Sequence, residues 1–203
     1  MSETQSIKIG MFGGGGVGKT CITLRFLKDE FTEGYIPTIE DFFSKTIEVD
    51  NQTVSLTIID TAGQDDFAEM RHRYYSDVQA FVFVIDISNK QSVDELRDIF
   101  EDAKENATGD VIGVIAANKA DLRDEGGNDL IPKEDFKKYE SEFGCKVFET
   151  SAKTNLNITE LFKYVIHSYL EKDKPKAKTT EKKTSSSKKS DESGGGGGCC
   201  QIA

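Results

Sequence analysis

Hydrophobic residues follow two different patterns along this chain. Residues 80–87 (AFVFVIDI) and 111–117 (VIGVIAA) are nearly continuous apolar runs, which are typical of parallel strands that are buried on both faces of a sheet. Residues 42–49 and 54–59 instead alternate between apolar and polar side chains. Because the turn-forming residues Asp50-Asn51-Gln52 lie between these two segments, we predict a β-hairpin there.

Shorter segments complete the set of predicted elements. Residues 6–12 and 146–150 are short strand candidates. Helices are predicted where apolar side chains recur at helical spacing or where capping residues bound a segment; they are 20–31, a segment after the hairpin, 92–107 opened by an N-cap serine, 132–144 ending at a glycine, and 158–170.

This order of elements indicates an α/β fold with helices on both faces of the sheet. We expect a six-stranded, mostly parallel sheet with one antiparallel edge strand and five helices. After Leu170 the hydrophobic pattern stops, and residues 171–198 contain mostly Lys, Ser, Thr and Gly. Such a composition predicts disorder, so the chain is interpreted as one domain over 1–170 and a tail over 171–203.

Composition and charge narrow the choice of partners. The formal net charge is -10, although the tail carries eight lysines against five acidic residues, so the predicted domain is strongly acidic. An acidic domain argues against binding to nucleic acid. No apolar run has the length of a membrane span, and the first residues do not look like a signal peptide, so we expect synthesis in the cytosol. The four cysteines fit neither a disulfide framework nor a zinc pattern.

The segment GGGGVGKT, between the first predicted strand and helix, fits the P-loop pattern Gly13-x-x-x-x-Gly18-Lys19-Thr20. Glycines allow backbone N–H groups to wrap a phosphate, and the helix N-terminus adds partial positive charge. We expect Lys19 to reach the outer phosphates and the Thr20 hydroxyl to bind Mg²⁺. Within this loop, Gly14 is the position where we expect alanine to be tolerated.

Three further motifs distinguish among P-loop proteins. Asp60-Thr61-Ala62-Gly63-Gln64 follows a strand, where the aspartate can hold the Mg²⁺ shell, Gly63 can meet the terminal phosphate, and Gln64 can orient a water. Asn118-Lys119-Ala120-Asp121 follows VIGVIAA, and its last carboxylate can accept two hydrogen bonds from guanine. Adenine lacks both donors, so this motif favours a guanine nucleotide. Ser151-Ala152-Lys153 follows the last strand.

These four motifs, in this order, resemble those of the small GTPases, and most closely those of the Ras family. The similarity covers about residues 6–170 and implies the P-loop NTPase G domain, a GTPase that binds GTP and GDP with Mg²⁺. The resemblance also implies the nucleotide contacts; they are Gly13, Gly15, Gly16, Val17, Gly18, Lys19, Thr20, Cys21, Phe31, Thr38, Asp60, Gly63, Asn118, Lys119, Asp121, Ser151, Ala152 and Lys153.

The same resemblance assigns roles in catalysis and in signalling. Gln64, Lys19 and Thr38 would act on GTP hydrolysis, and Thr20, Thr38 and Asp60 would hold the metal. The segment YIPTIEDFF resembles the effector loop, through which Ras-like proteins bind their targets; it comprises Tyr35, Ile36, Pro37, Thr38, Ile39, Glu40, Asp41, Phe42 and Phe43. Ile36 and Phe43 depart from the usual residues of this partner-facing loop.

The loop KDEFTEGYIPT contains no arginine. Because phosphoryl transfer depends on placed charge, we expect slow intrinsic hydrolysis and a GTPase-activating protein that supplies an arginine. The resemblance also implies an exchange factor and effector proteins as partners.

The segment Cys200-Gln201-Ile202-Ala203 fits a C-a-a-X lipidation signal, and alanine at its last position favours farnesyl on Cys200. Since one prenyl chain binds a membrane only marginally, Cys199 is a candidate for palmitoylation and the tail lysines for contact with anionic lipid. We therefore expect a protein anchored by lipid at the cytoplasmic face of the cell membrane.

Two alternatives remain open from the sequence. One is a P-loop kinase or ATPase. The other is an interaction module that binds a guanine nucleotide without useful turnover.

Overall fold

The computed structural model describes residues 5–34, 37–49, 52–63 and 68–173. Within these ranges six strands form one sheet in the order β2-β3-β1-β4-β5-β6. The strands are β1 (Gln5–Phe12), β2 (Glu40–Val49), β3 (Gln52–Thr61), β4 (Ala80–Asp86), β5 (Gly113–Asn118) and β6 (Lys146–Glu149). Edge strand β2 pairs with β3 in antiparallel orientation, and the other pairs are parallel. The predicted sheet is therefore confirmed.

Helices cover both faces of this sheet. They are α1 (Lys19–Lys28), α2 (Ala68–Tyr75), α3 (Gln91–Asn106), α4 (Asp121–Asp124), α5 (Glu134–Phe143) and α6 (Ile158–Asp173). The described residues thus include the five predicted helices and, in addition, the single turn α4. Helix α6 continues to Asp173, three residues beyond the predicted limit of the domain, and the rest of the tail lies outside the described residues.

Alternation along the buried strands creates two cores. In β4, Val82 and Val84 pack on the face covered by α1 and α6, whereas Phe81 and Phe83 pack on the face covered by α2, α3 and α5. All seven residues of β4 are buried, as its continuous apolar run predicted. Among the helices of the described ranges, none combines the length and the apolar character that a membrane crossing requires.

The predicted N-cap at Ser92 is wrong. Helix α3 begins one residue earlier, with Lys90 at the cap position, and the N–H of Gln91 donates to Asn89 Oδ1 at 3.1 Å. The Ser92 hydroxyl is buried, accepts a hydrogen bond from the Asp86 N–H (3.0 Å) and donates to the Asn89 carbonyl (2.6 Å). The serine therefore stabilises the turn between β4 and α3.

The loops that carry the sequence motifs follow the carboxyl ends of strands. The P-loop follows β1, Asp60 lies near the end of β3, Asn118 ends β5, and Ser151 comes shortly after β6. Ligands of open α/β sheets bind at this edge. The fold thus brings four segments that are distant in sequence to one edge of the sheet.

Candidate functional site

The P-loop connects β1 to α1 and surrounds a buried lysine. Lys19 is 6% exposed, and its Nζ donates hydrogen bonds to the carbonyl oxygens of Gly13 (2.9 Å) and Gly14 (2.8 Å). Burial lowers the pKa of Lys19 to about 8, against the raising effect of the Asp60 charge. A phosphate group would offset this cost of burial because it brings negative charge to the ammonium group.

Backbone geometry at Gly18 joins the P-loop to the loop after β5. Gly18 has φ of +99°, and a Cβ on it would lie 2.4 Å from Asn118 Nδ2. That amide group donates to the carbonyl of Val17 at 2.9 Å. Only glycine therefore allows the two loops to approach this closely.

Three oxygen-bearing side chains meet beside the P-loop. The Thr20 hydroxyl donates to Asp60 Oδ2 at 2.5 Å and lies 2.8 Å from the Thr38 hydroxyl. Asp60 is fully buried, and its Oδ1 finds no hydrogen-bond partner among the described residues. Burial raises the pKa of Asp60 to about 6, although hydrogen bonding from Thr20 and the charge of Lys19 act in the opposite direction.

This group of oxygens fits Mg²⁺. Hydroxyl and carboxylate oxygens are the ligands that Mg²⁺ prefers, and it usually takes only one or two carboxylates and completes its shell with water and substrate phosphates. In the described part of the chain, no three His, Cys, Asp or Glu side chains are grouped as a metal site. The residues present thus suit a cation shared with a phosphate.

Asn118 organises the other end of the cleft. It is buried, and its Oδ1 accepts from the N–H of Ala152 at 3.3 Å and from the Thr150 hydroxyl at 3.5 Å. With the bond to Val17, its side chain connects the P-loop, β5 and the loop after β6.

Asp121 and Lys119 are also held in place. The Ser151 hydroxyl donates to Asp121 Oδ1 at 2.5 Å, and Lys119 Nζ forms an ion pair with Asp86 at 2.6 Å. Lys119 has φ of +68°, a conformation that non-glycine residues adopt infrequently and that often marks functional sites. The second oxygen of Asp121 has no hydrogen bond to Ser151 and can accept a hydrogen bond from a nucleotide base.

Together these loops enclose a cleft of about 470 Å³, a volume typical of small-molecule sites. Most of the nucleotide contacts implied by the sequence line it; they are Gly15, Gly16, Gly18, Lys19, Thr20, Cys21, Phe31, Thr38, Gly63, Asn118, Lys119, Asp121, Ala152 and Lys153. The other four implied contacts do not line the cleft but bind residues that do; they are Gly13, Val17, Asp60 and Ser151. Gln64, Tyr35, Ile36, Cys199 and Cys200 lie outside the described residues.

The segment from Pro37 to Phe43 leads from the cleft to the surface. Ile39 and Phe42 are 60% and 56% exposed, and the Phe42 ring meets Tyr74 edge-on at 5.9 Å. Phe43 instead packs on the core beneath α1 and α6. Within the predicted effector loop, alternation along β2 therefore points Phe42 outward and Phe43 inward.

Sequence reasoning missed two residues that hold the predicted ones. Asp86, at the end of β4, pairs with Lys119, and Arg25, in α1, donates to the Ala152 carbonyl at 2.8 Å. A polar residue at the end of a buried strand was a signal for Asp86. Arg25 lies on the polar side of a helical pattern, and nothing in the local sequence marks it.

Four features define a GTP-binding protein of the small GTPase class: the sheet order, the P-loop, the oxygens of Thr20, Thr38 and Asp60, and the loop after β6 that carries residues 151–153, called the base loop from here on. The family model described as Ras family matches residues 8–171. The chain belongs to the Ras family, whose members are small GTPases that bind GTP and hydrolyse it to GDP. This membership favours a GTPase over a P-loop kinase or ATPase, and over an interaction module that binds the nucleotide without turnover.

Two named proteins illustrate the similarity of this chain to other members of the family. The chain is 34% identical to Protein ras-1 of Neurospora crassa over 172 residues, 84% of this chain and 79% of that protein. It is 38% identical to Ras-related protein Rab-8A of Bos taurus over 156 residues, 76% of this chain and 74% of that protein.

Proposed function

We propose that this small GTPase is a signalling switch that binds effector proteins through Tyr35–Phe43 while it is anchored at the cytoplasmic face of the cell membrane. In its cleft, the P-loop amides and Lys19 hold the phosphates. Asn118, Lys119, Asp121 and Ala152 hold guanine, with the free oxygen of Asp121 accepting from the base. This assignment is supported by the convergence of these groups on one cleft of about 470 Å³.

Thr20 and Thr38 supply hydroxyl oxygens to the metal site, and Asp60 supports it from behind. Mg²⁺, when bound, neutralises negative charge on the phosphate oxygens. Gln64 orients the attacking water, Gly63 donates its N–H toward the terminal phosphate, and Gly15 and Gly16 leave room beside that phosphate. Residues 28–38 contain no arginine that could stabilise the charge of the transition state. Intrinsic hydrolysis is therefore slow, and a GTPase-activating protein supplies the arginine.

The observation that carries the signalling proposal is the path from Thr38 to Phe42. Thr38 lies 2.8 Å from Thr20 inside the cleft, while the neighbouring Ile39 is largely exposed at the surface. A change in the phosphate content of the cleft would therefore act on Thr38 first and reach the exposed Ile39 and Phe42 along a short stretch of backbone.

Effector binding is tested with the full chain loaded with a non-hydrolysable GTP analogue or with GDP and used to capture proteins from a cell lysate. We expect a set of proteins that binds the GTP-analogue form alone. Phe42→Ala should weaken that binding about tenfold or more, because exposed aromatic anchors dominate interfaces. Tyr164→Ala is the matched control, since Tyr164 is a partly exposed aromatic residue on α6, outside the segment.

Capture that is equal for both nucleotide states, or that is unchanged by Phe42→Ala, contradicts the effector proposal. A loss of the same size in Tyr164→Ala contradicts it as well, because the loss would then not be specific to this surface.

A further inference from the structure

One guanidinium group connects two separate walls of the nucleotide cleft. Arg25 lies near the end of α1 with its side chain only 14% exposed. Its Nε donates to the carbonyl of Ala152 at 2.8 Å, and its Nη2 donates to the carbonyl of Lys153 at 3.2 Å. Both acceptors belong to the loop that carries Ala152 and Lys153 into the cleft, so Arg25 holds this loop from behind.

The same side chain also holds the segment that follows α1. Its Nη1 donates to the backbone carbonyl of Asp29 at 2.8 Å and to Asp29 Oδ1 at 3.0 Å. The guanidinium carbon lies 5.9 Å from the centre of the Phe31 ring, over its face. Phe31 lines the same cleft as Ala152 and Lys153.

A direct link between the two walls strengthens this arrangement. Asn155 Nδ2, in the loop after β6, donates to Asp29 Oδ1 at 3.2 Å. Asp29 has φ of +57° and caps the C-terminus of α1, where its N–H donates to the Arg25 carbonyl. The carboxylate of Asp29 thus accepts one hydrogen bond from Arg25, in α1, and one from Asn155, in the loop after β6.

We propose that Arg25 is a positioning residue that locks the Ala152–Lys153 loop to the Phe31 segment and thereby slows nucleotide release. The inference rests on the proposed guanine site, since it assumes that the base lies between these two walls. The loop of Ala152 and Lys153 cannot move away without breaking hydrogen bonds to the guanidinium, and the Phe31 ring cannot move away without losing its contact with the same group.

Arginine is suited to this role because its planar fork offers five donors in fixed directions. Four of the contacts above are hydrogen bonds from a charged donor, and such bonds are stronger than neutral ones. A lysine at position 25 would keep the positive charge near Phe31, yet its single ammonium group could not span both carbonyls of the loop and Asp29 together.

The test measures release of fluorescent mant-GDP from the full chain in Mg²⁺ after addition of excess GDP. We expect Arg25→Ala to release the nucleotide at least about tenfold faster than the wild type, a change of about 1.4 kcal/mol. Arg25→Lys should give an intermediate rate of about threefold or more above the wild type. Release at the wild-type rate by either variant overturns the proposal, so Arg25→Lys decides if Arg25→Ala does not fold.

Lys45→Ala is the matched control. Lys45 Nζ donates to the carbonyls of Phe26 and Leu27, at 3.3 and 3.1 Å, and so binds the same end of α1 without touching either wall. It should release GDP within about twofold of the wild type. Acceleration equal to that of Arg25→Ala would mean that any weakening of α1 is enough, and would overturn the proposal.

A double-mutant cycle with Phe31→Leu separates positioning from general stability. If Arg25 locks the Phe31 segment, the two substitutions together accelerate release by less than the product of their separate effects. Multiplicative effects would overturn the coupling between the walls. A wild-type protein that retains no GDP would refute the proposed function itself, whereas normal retention with an unaffected Arg25→Ala would refute only this inference.

Discussion

Gly18 shows how a single missing side chain decides whether the cleft can form. Its φ of +99° belongs to a region that side chains disfavour, and the neighbouring atom Asn118 Nδ2 is itself fixed by the Val17 carbonyl. Gly14 differs, because an added Cβ would lie 1.8 Å from Glu95 Oε2, the far end of a flexible side chain that can rotate. Two glycines of one loop thus have different reasons to be glycine.

Gly18→Ala should therefore reduce GDP affinity strongly, by about 100-fold or more, since it adds backbone strain and displaces the amide that holds the base loop. Gly14→Ala should reduce it by less than about tenfold, because only the Glu95 carboxylate must move. Calorimetric titration of nucleotide-free protein with GDP measures both. Equal losses in the two variants would show that the Asn118 contact does not set the difference.

At the scale of single residues, the sequence predicts which side chains bind the nucleotide better than it predicts which side chains hold them in place by hydrogen bonds. Lys19, Thr20, Asp60 and Asn118 were identified because their motifs prescribe the residue types at fixed spacing. Arg25 was missed because its main acceptor, Ala152, is 127 residues away in sequence. Hydrogen bonds across such distances depend on the packing of α1 against α6, and no local pattern carries them.

Among the elements, β6 and its neighbours are joined by a partly buried cluster of charges around Glu149. The Glu149 carboxylate, 14% exposed, pairs with Arg123 and with Lys133, the latter at 2.5 Å. Arg123 Nη2 also donates to the Ile131 carbonyl at 2.7 Å. Because β6 leads directly into the base loop, this cluster supports the end of the sheet from which that loop extends.

Removing the charge of Glu149 should weaken the fold in a pH-dependent way. Burial alone would raise the pKa of Glu149, but hydrogen bonds from Lys133 and Arg123 outweigh burial and hold it below its ordinary value of 4.5. A lowered pKa means that the carboxylate contributes stability at neutral pH and loses it as the pH falls below the ordinary range. Glu149→Gln should therefore lower the free energy of unfolding by about 1–3 kcal/mol near pH 7.

Urea denaturation of the GDP-bound protein at several pH values measures this effect. The gap between wild type and Glu149→Gln should narrow as the pH approaches 4.5 and falls below it. Lys133→Ala, which removes a largely exposed partner, should cost less than about 1 kcal/mol. A gap that stays constant with pH would show that the charge of Glu149 is not what stabilises the cluster.

The sequence predicted strands more accurately than the starts of helices. Continuous apolar runs allow only a buried strand at β4 and β5, since no solvent-facing side remains. The start of α3 was misplaced because Ser92, a typical capping residue, is used by the turn before the helix instead. Phe43 shares a face of β2 with Ile47 and Val49, which pack on the core, so alternation along the strand carried the orientation of this residue.

For the molecule as a whole, net charge and lipid attachment act against each other at a membrane. A chain of net charge -10 is repelled by an anionic surface, while each lysine near that surface contributes only about 1 kcal/mol of attraction. Membrane binding should therefore depend on lipid, and Cys200→Ser should shift the full-length protein from the membrane to the soluble fraction in cells. Cys199→Ser should shift part of it, because one prenyl chain holds a membrane marginally.

Fractionation with immunoblotting measures both variants, and Ser193→Ala, which leaves both thiols in place, is the control. Unchanged membrane binding of Cys200→Ser would contradict the proposed anchor, and the lysines would then have to hold an acidic protein at an acidic surface without help.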